Sequence, residues 1–428
     1  MFSHLFHRLS KNRTWRHPTV QATDRSVLGR SKYFSVFIVM LVCATGFSNM
    51  PVFGDEDEKD RGSQEYSLDD TFDPEPDEVP EFILLKLAPH FQAALRAREV
   101  TSNSEVDFIG HQKFYRPRNR GILGEGGLAW WIFHSETVGK VPTSEFARRA
   151  GLLWKPNDGD APEPEVAVGM ITWRQRLFNN RVVAFVGKNY PGILYAQSDY
   201  SGDDRTTFIS SIIAGDQVGH YFETIGLGVN VRYQPGDWFV QGGLTDAQAM
   251  NPFLDFNSLK KGKFLWSFEV GYNPKRDDGT TNVTVMPYTI DQTGSLTREK
   301  GLVLSFTHEF GARAYAVFGR YVFRQGGKGL TEQDRGDEQP LIQGGFAGFA
   351  LNRPFGAETH QIAAAFMYGR PTDFKKSQGF NTQYGVEAFW KIKLTSWLYI
   401  MADLQFIRNK DDKLEFMPGL LFNAFKVW

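Results

Sequence analysis

The 428-residue chain has a single cysteine, no apolar run of about 20 residues and no surplus of either charge, with 48 Lys+Arg against 49 Asp+Glu. Each shortage excludes something. Cys43 lies in an export-like N-terminal segment, so the body of the chain has no disulfide, no thiolate metal site and no Cys nucleophile. A membrane helix needs about 20 consecutive apolar residues, which excludes a polytopic helical protein, and the mean hydropathy of -0.36 agrees. The balanced charge offers no basic surface to a nucleic acid. The nine histidines are scattered without metal spacing, and no HExxH occurs. Gly326-Gly327-Lys328-Gly329 reads as a hairpin loop, because no Ser or Thr follows the lysine and no strand–helix context surrounds it. Ser305 and His308 fall on opposite faces of one segment, so no Ser–His pair with a supporting acid is found. No catalytic residue, metal or cofactor is expected.

What is plentiful is aromatic and small. Phe, Trp and Tyr make up 14% of the chain, and there are 42 glycines. That composition without long apolar runs suits an all-β protein. The charge is uneven by segment: residues 1–54 carry about +6, residues 55–80 about -10, and the remainder about +3. Arg25, Arg30 and Lys32 precede the apolar stretch 34–47, the layout of a secretory signal peptide, with Val52-Phe53-Gly54 before a cleavage point. Residues 1–54 are read as N-terminal extension and signal peptide, and 55–80 as a disordered acidic linker that lacks the DxDxDG calcium geometry. Residues 81–104 are expected to form a short amphipathic helix interrupted at Pro89. Residues 105–428 form the main domain.

In that domain hydrophobicity alternates with period two between Gly/Asp/Asn/Pro turns. Over 397–407, Leu398, Ile400, Ala402, Leu404 and Phe406 share one face, and Tyr399, Met401, Asp403 and Gln405 the other. Over 384–394, Tyr384, Val386, Ala388, Trp390, Ile392 and Leu394 oppose a face carrying Glu387, Lys391 and Lys393. Tyr315, Val317, Gly319, Tyr321 and Phe323 likewise oppose Arg320 and Arg324. Such segments suit strands facing lipid and lumen in turn. The expectation is an all-β transmembrane antiparallel barrel of about 16 strands, with 14–18 as the range. Trp130, Trp131, Trp238, Trp266, Trp390 and Trp397 are expected in the interfacial girdles. The chain ends on an alternating segment closed by Trp428, like the terminal signal read by the barrel-assembly machinery.

Three stretches then carry a family resemblance. They are 182–211 with FVGKNYPGILYAQSDYSGDDRTTFISS; 225–247 with Pro235-Gly236-Asp237-Trp238 and Gly243-Leu244-Thr245-Asp246-Ala247; and the C-terminal third. The last contains Phe318-Gly319-Arg320-Tyr321, Gly369-Arg370-Pro371-Thr372-Asp373, Glu387-Ala388-Phe389-Trp390 and Asp403-Leu404-Gln405-Phe406-Ile407. In order and spacing these resemble the carbohydrate-selective (OprB-type) porins of Gram-negative outer membranes. The chain departs from them at Asn409-Lys410, where the family usually has Asn-Pro. The resemblance implies a 16-stranded outer-membrane porin, often a homotrimer, that passes glucose and related small carbohydrates down their gradient. Parity and motif together mark Lys188, Arg205, Arg320, Arg370, Glu387, Lys391 and Asp403 as pore-lining candidates. A general or anion-preferring porin and a structural barrel are the alternatives. The expected partners are small carbohydrates and outer-membrane lipids.

Overall fold

A period-two segment separates its two faces only as a strand, and a strand in lipid needs a hydrogen-bonded neighbour on each side. The computed structural model describes residues 84–96, 99–115, 122–159, 165–202, 205–215, 218–221, 224–248, 253–276, 279–331, 333–337, 339–357, 359–424 and 426–427. The expected signal peptide, the acidic linker and Trp428 lie outside the described residues.

Sixteen strands succeed one another: β1 (Leu84–Arg96), β2 (Glu99–Tyr115), β3 (Leu123–Thr137), β4 (Glu165–Leu177), β5 (Val182–Asn189), β6 (Gly226–Tyr233), β7 (Trp238–Asp246), β8 (Phe264–Tyr272), β9 (Gly279–Ile290), β10 (Glu299–Phe310), β11 (Tyr315–Gly326), β12 (Leu341–Asn352), β13 (His360–Pro371), β14 (Gln383–Thr395), β15 (Leu398–Arg408) and β16 (Leu414–Ala424). Two-residue pieces, Lys275–Arg276 and Lys426–Val427, pair with β9 and β1 respectively. All pairings are antiparallel and join chain neighbours, and β1 also pairs with β16, with Phe91 opposite Phe422 and Ala94 opposite Gly419. The barrel is closed, so no edge is left for lipid to desolvate.

Closure explains the one element misjudged from the sequence. Residues 84–96 form β1, and Glu99 onward belongs to β2, where a helix was expected over 81–104. A helix there would leave β2 and β16 each with an open edge, at a cost of several kcal/mol per unpaired group. As a strand the segment pairs on both sides, and it still turns Gln92 and Ala94 inward and Leu95 outward.

The turns sort by end. Those at one end, such as 178–181, 234–237 and 311–314, are short; those at the other include 138–164 and 190–225. Outer-membrane barrels place short turns in the periplasm and long loops outside. The β4–β5 turn shows the local chemistry: Asn179 and Asn180 sit at φ 56° and 66°, the left-handed conformation that asparagine tolerates better than most residues. Helix α1 (Thr143–Ala150) lies in the long β3–β4 loop, and its first-turn Glu145 bonds Arg148 and Arg149 at 2.6 and 2.8 Å. Those two cations hold the Glu145 carboxyl down at about 2.

The outer wall is apolar. Val386, Leu404, Phe406, Phe416 and Leu420 are all more than 40% exposed, while their strand neighbours Glu387, Asp403, Gln405, Met417 and Leu421 are buried inside. Trp238, Trp266, Trp390 and Trp397 face outward as the girdle reading expects. Trp131 does not. It turns inward and donates Nε1–H to Asp107 Oδ1 at 2.6 Å, because adjacent residues of a strand face opposite sides and Trp130 already occupies the outer one. Leu404→Arg, at the middle of β15, is expected to lower the folding free energy in bilayers by about 2–4 kcal/mol. Urea titration in lipid vesicles, followed by tryptophan fluorescence, measures it.

Candidate functional site

The 36 residues between β5 and β6, 190–225, are far longer than a connection requires, and such loops are usually functional. Their composition is not that of a solvated loop. Tyr195, Phe208, Ile209, Ile212, Ile213, Val218 and Tyr221 are each at most 2% exposed, and they belong to one apolar cluster with the inward faces of Val303, Phe318, Met367, Phe389 and Met401. Phe208 meets Phe318 and Phe389 at centroid distances of 5.7 and 4.8 Å. The loop is folded inside the barrel, a fit driven by burial of apolar area.

Burial creates a second requirement. A loop without a ladder carries backbone N–H and C=O groups that need partners once water is removed. The barrel wall supplies many of them from inward-facing polar side chains. Glu387 on β14 accepts from Ile209 N and Ser210 N at 2.7 and 3.2 Å. Lys391, four residues along the same strand, donates to Thr206 O at 2.9 Å. Arg320 on β11 donates Nη2–H to Ala196 O at 2.7 Å, and Glu269 on β8 accepts from Ala196 N at 2.8 Å. Gln241 donates to Leu194 O, Asn282 to Gln197 O, and Ser198 meets Thr307 hydroxyl to hydroxyl at 2.8 Å. His220 is held through its N–H and its ring by Glu299, which also pairs with Arg324 at 3.1 Å.

The neighbouring loop joins in. Gln383 binds Leu153 N through its oxygen and Gly151 O through its amide nitrogen, at 2.8 and 2.7 Å. Gln405 donates to Pro156 O at 2.7 Å and to Asp403 Oδ1 at 3.0 Å. Lys155 and Ser211 tie the two loops together.

On the loop itself Arg205 reaches the inward face of β2. It pairs with Asp107 at 2.6 Å and Glu105 at 2.5 Å, and stands 5.2 Å over the Trp131 ring. Its carbonyl accepts from Tyr399 and Asn423. A largely buried ion pair of this kind fixes position more than it adds stability, since desolvation offsets much of the attraction.

Of the pore-lining candidates, Arg320, Glu387, Lys391 and Asp403 face inward and Arg205 meets the same assembly, so the structure brings five of the seven together. It gives them a different duty: Arg320, Glu387 and Lys391 bond loop backbone instead of standing free along an open channel. Asp403 acts through Gln405 and through its contact with Glu387. The other two lie elsewhere. Lys188 is in register with Ile171 and Leu227 beside outward-facing Val186, and it donates to Phe253 O at 2.6 Å beneath the β7–β8 loop. Arg370 shares the outward face of β13 with Phe366 and Tyr368 and is exposed. Gln383, Gln405, Glu269, Gln241 and Glu299 were not singled out, although each is a polar residue at an inward position.

No family model matches the chain, and no curated protein matches it. Among solved structures, the high-pH form of OprB from Pseudomonas putida aligns with a TM-score of 0.65 at 12% identity, over 81% of this chain and 94% of that one. The chain has the fold of an outer-membrane porin barrel. OmpT of Vibrio cholerae in its trimer form (TM-score 0.49, 10% identity, 81% and 99% coverage) and OccAB3 of Acinetobacter baumannii (0.44, 12%, 81% and 99%) also match, at scores that add nothing to the argument.

Removing one latch tests the assembly. Glu387→Ala strands two buried N–H groups at about 1–3 kcal/mol each, whereas Glu387→Gln keeps an acceptor. Limited proteolysis of the folded barrel is expected to cut within 190–225 faster in the alanine variant than in the glutamine variant, with wild type slowest.

Proposed function

We propose that the protein is a passive diffusion channel of the bacterial outer membrane, selective for small neutral carbohydrates of about glucose size. The observation that carries this reading is the long loop latched inside a porin-fold barrel. An empty 16-stranded barrel leaves a wide aqueous channel, and an inward loop narrows it towards the width of a single small solute. No reaction is catalysed, and the gradient drives transport.

The lining carries groups that can bind hydroxyls. On the wall formed by β2–β7, Lys113 pairs with Glu125 at 3.2 Å, and Arg232 stacks 3.8 Å over the Phe239 ring. A paired charge offers both a donor and an acceptor to hydroxyls, and Arg174 and Arg176, turned inward on β4, add guanidinium donors to the same wall. The likeness to OprB, a shared fold at low identity, supports the channel part of the reading. Export through the segment ending near Gly54, recognition of the C-terminal strand by the barrel-assembly machinery and assembly as a homotrimer belong with it.

One observation favours a second reading. Phe208, Ile209, Ile212 and Ile213 are almost wholly buried in the apolar cluster within the barrel, as in a closed or structural barrel. Liposome swelling with purified protein separates the two. Fast uptake of glucose, with slow uptake of maltohexaose and of glucuronate, is the result the sugar-channel proposal expects. Equal uptake of glucose and glucuronate would make it a general pore, and no uptake of any solute would leave the closed barrel.

A further inference from the structure

Arg370, which the motif analysis placed in the lumen, ends on the outer wall with no carboxylate partner among the described residues. A lone guanidinium on a lipid-facing surface is costly unless it lies at headgroup depth and meets an anion. Its depth follows from the strand. Arg370 is the penultimate residue of β13, next to the loop 372–382 at the end carrying the long loops, and therefore at the outer leaflet.

Below it the wall is hollow. A depression of about 610 Å³ opens on the outer face of β9–β13. The strand registers show why. Tyr321, Gly345 and Tyr368 stand side by side on β11, β12 and β13, and the next outward row holds Phe306, Gly319, Ala347 and Phe366 on β10–β13. Small residues at the centre, Gly345 and Ala347, are ringed by Phe306, Tyr321, Phe366 and Tyr368. The floor is fixed by backbone: a Cβ on Gly345 would lie 2.2 Å from Arg320 O. Arg370 is the next outward residue above Tyr368, about 7 Å along the strand. The phenols of Tyr321 and Tyr384 and the Arg370 guanidinium are all close enough to Tyr368 to act on it electrostatically.

An apolar trough leading up to phenols and an uncompensated cation is amphipathic in the direction of the membrane normal. We propose that this face binds one phosphorylated lipid of the outer leaflet, with an acyl chain in the Gly345–Ala347 trough and a phosphate on Arg370. Guanidinium binds phosphate oxygens in a bidentate fashion, and the phenols of the row below add donors between the phosphate and the trough. The site is distinct from the lumen and does not depend on what the barrel transports.

The test uses the full-length protein, purified in mild detergent and titrated with lipid A, phosphatidylglycerol or phosphatidylcholine, with bound lipid counted by native mass spectrometry. Wild type is expected to hold one lipid A per chain, to bind phosphatidylglycerol more weakly, and to ignore phosphatidylcholine. Arg370→Gln should lower lipid A occupancy at least fivefold, and Ala347→Trp, which fills the trough, should abolish it. Heat-modifiable migration in gels checks that both variants still form the barrel. Equal occupancy in wild type and Arg370→Gln would overturn the proposal. So would a dimer or trimer lost in Ala347→Trp with lipid unchanged, which would make the face a contact between copies of this chain.

Discussion

Everything inside the barrel depends on the need to satisfy a buried, ladderless backbone. Residues 190–225 gain stability by sinking apolar side chains among Phe318, Met367 and Phe389, but their peptide groups then lose water. The wall answers with Glu387, Lys391, Arg320, Glu269, Gln241 and Asn282, each aimed at a loop peptide group. An unmade buried bond costs more than a made one contributes, so these contacts fix where the loop lies more than they add to net stability. The same principle acts at the perimeter, where β1 closes the sheet because lipid cannot bond an open edge.

The two faces of each strand thus do unlike work. The outer face is apolar and girdled with tryptophan to suit the membrane. The inner face alternates apolar contacts with polar latches to suit one particular loop. The narrowing of the lumen is therefore built jointly: the loop supplies bulk, and the wall supplies position. Arg205 extends this to Asp107 and Trp131, so the loop is held at the inward face of β2 as well.

Much of this was legible in the sequence. Period-two alternation gave the strand number and placed β11, β14 and β15, and parity with motif turned Arg320, Glu387, Lys391 and Asp403 inward. Parity also carried signals that were passed over. Adjacent Trp130 and Trp131 cannot share a face, and Arg370 has the parity of Phe366 and Tyr368. Other features were not local. β1 is a strand because of partners more than 300 residues away in β16. Lys188 is covered by a loop that folds back from beyond β7. Whether an inward charge meets solute or loop backbone depends on where 36 intervening residues go, and alternation says nothing about that.

The claim that the loop is seated against the inner wall has a direct chemical test. Ser198 on the loop and Thr307 on β10 face each other at 2.8 Å between hydroxyl oxygens, close enough for a cysteine pair to bridge. With Cys43 the only native cysteine, a Ser198→Cys/Thr307→Cys variant in membranes should lose both free thiols on mild oxidation, with a mass decrease of about 2 Da and either single variant unaffected. Thiols in the folded barrel that both remain open to alkylation would contradict the seating of the loop on which the rest depends.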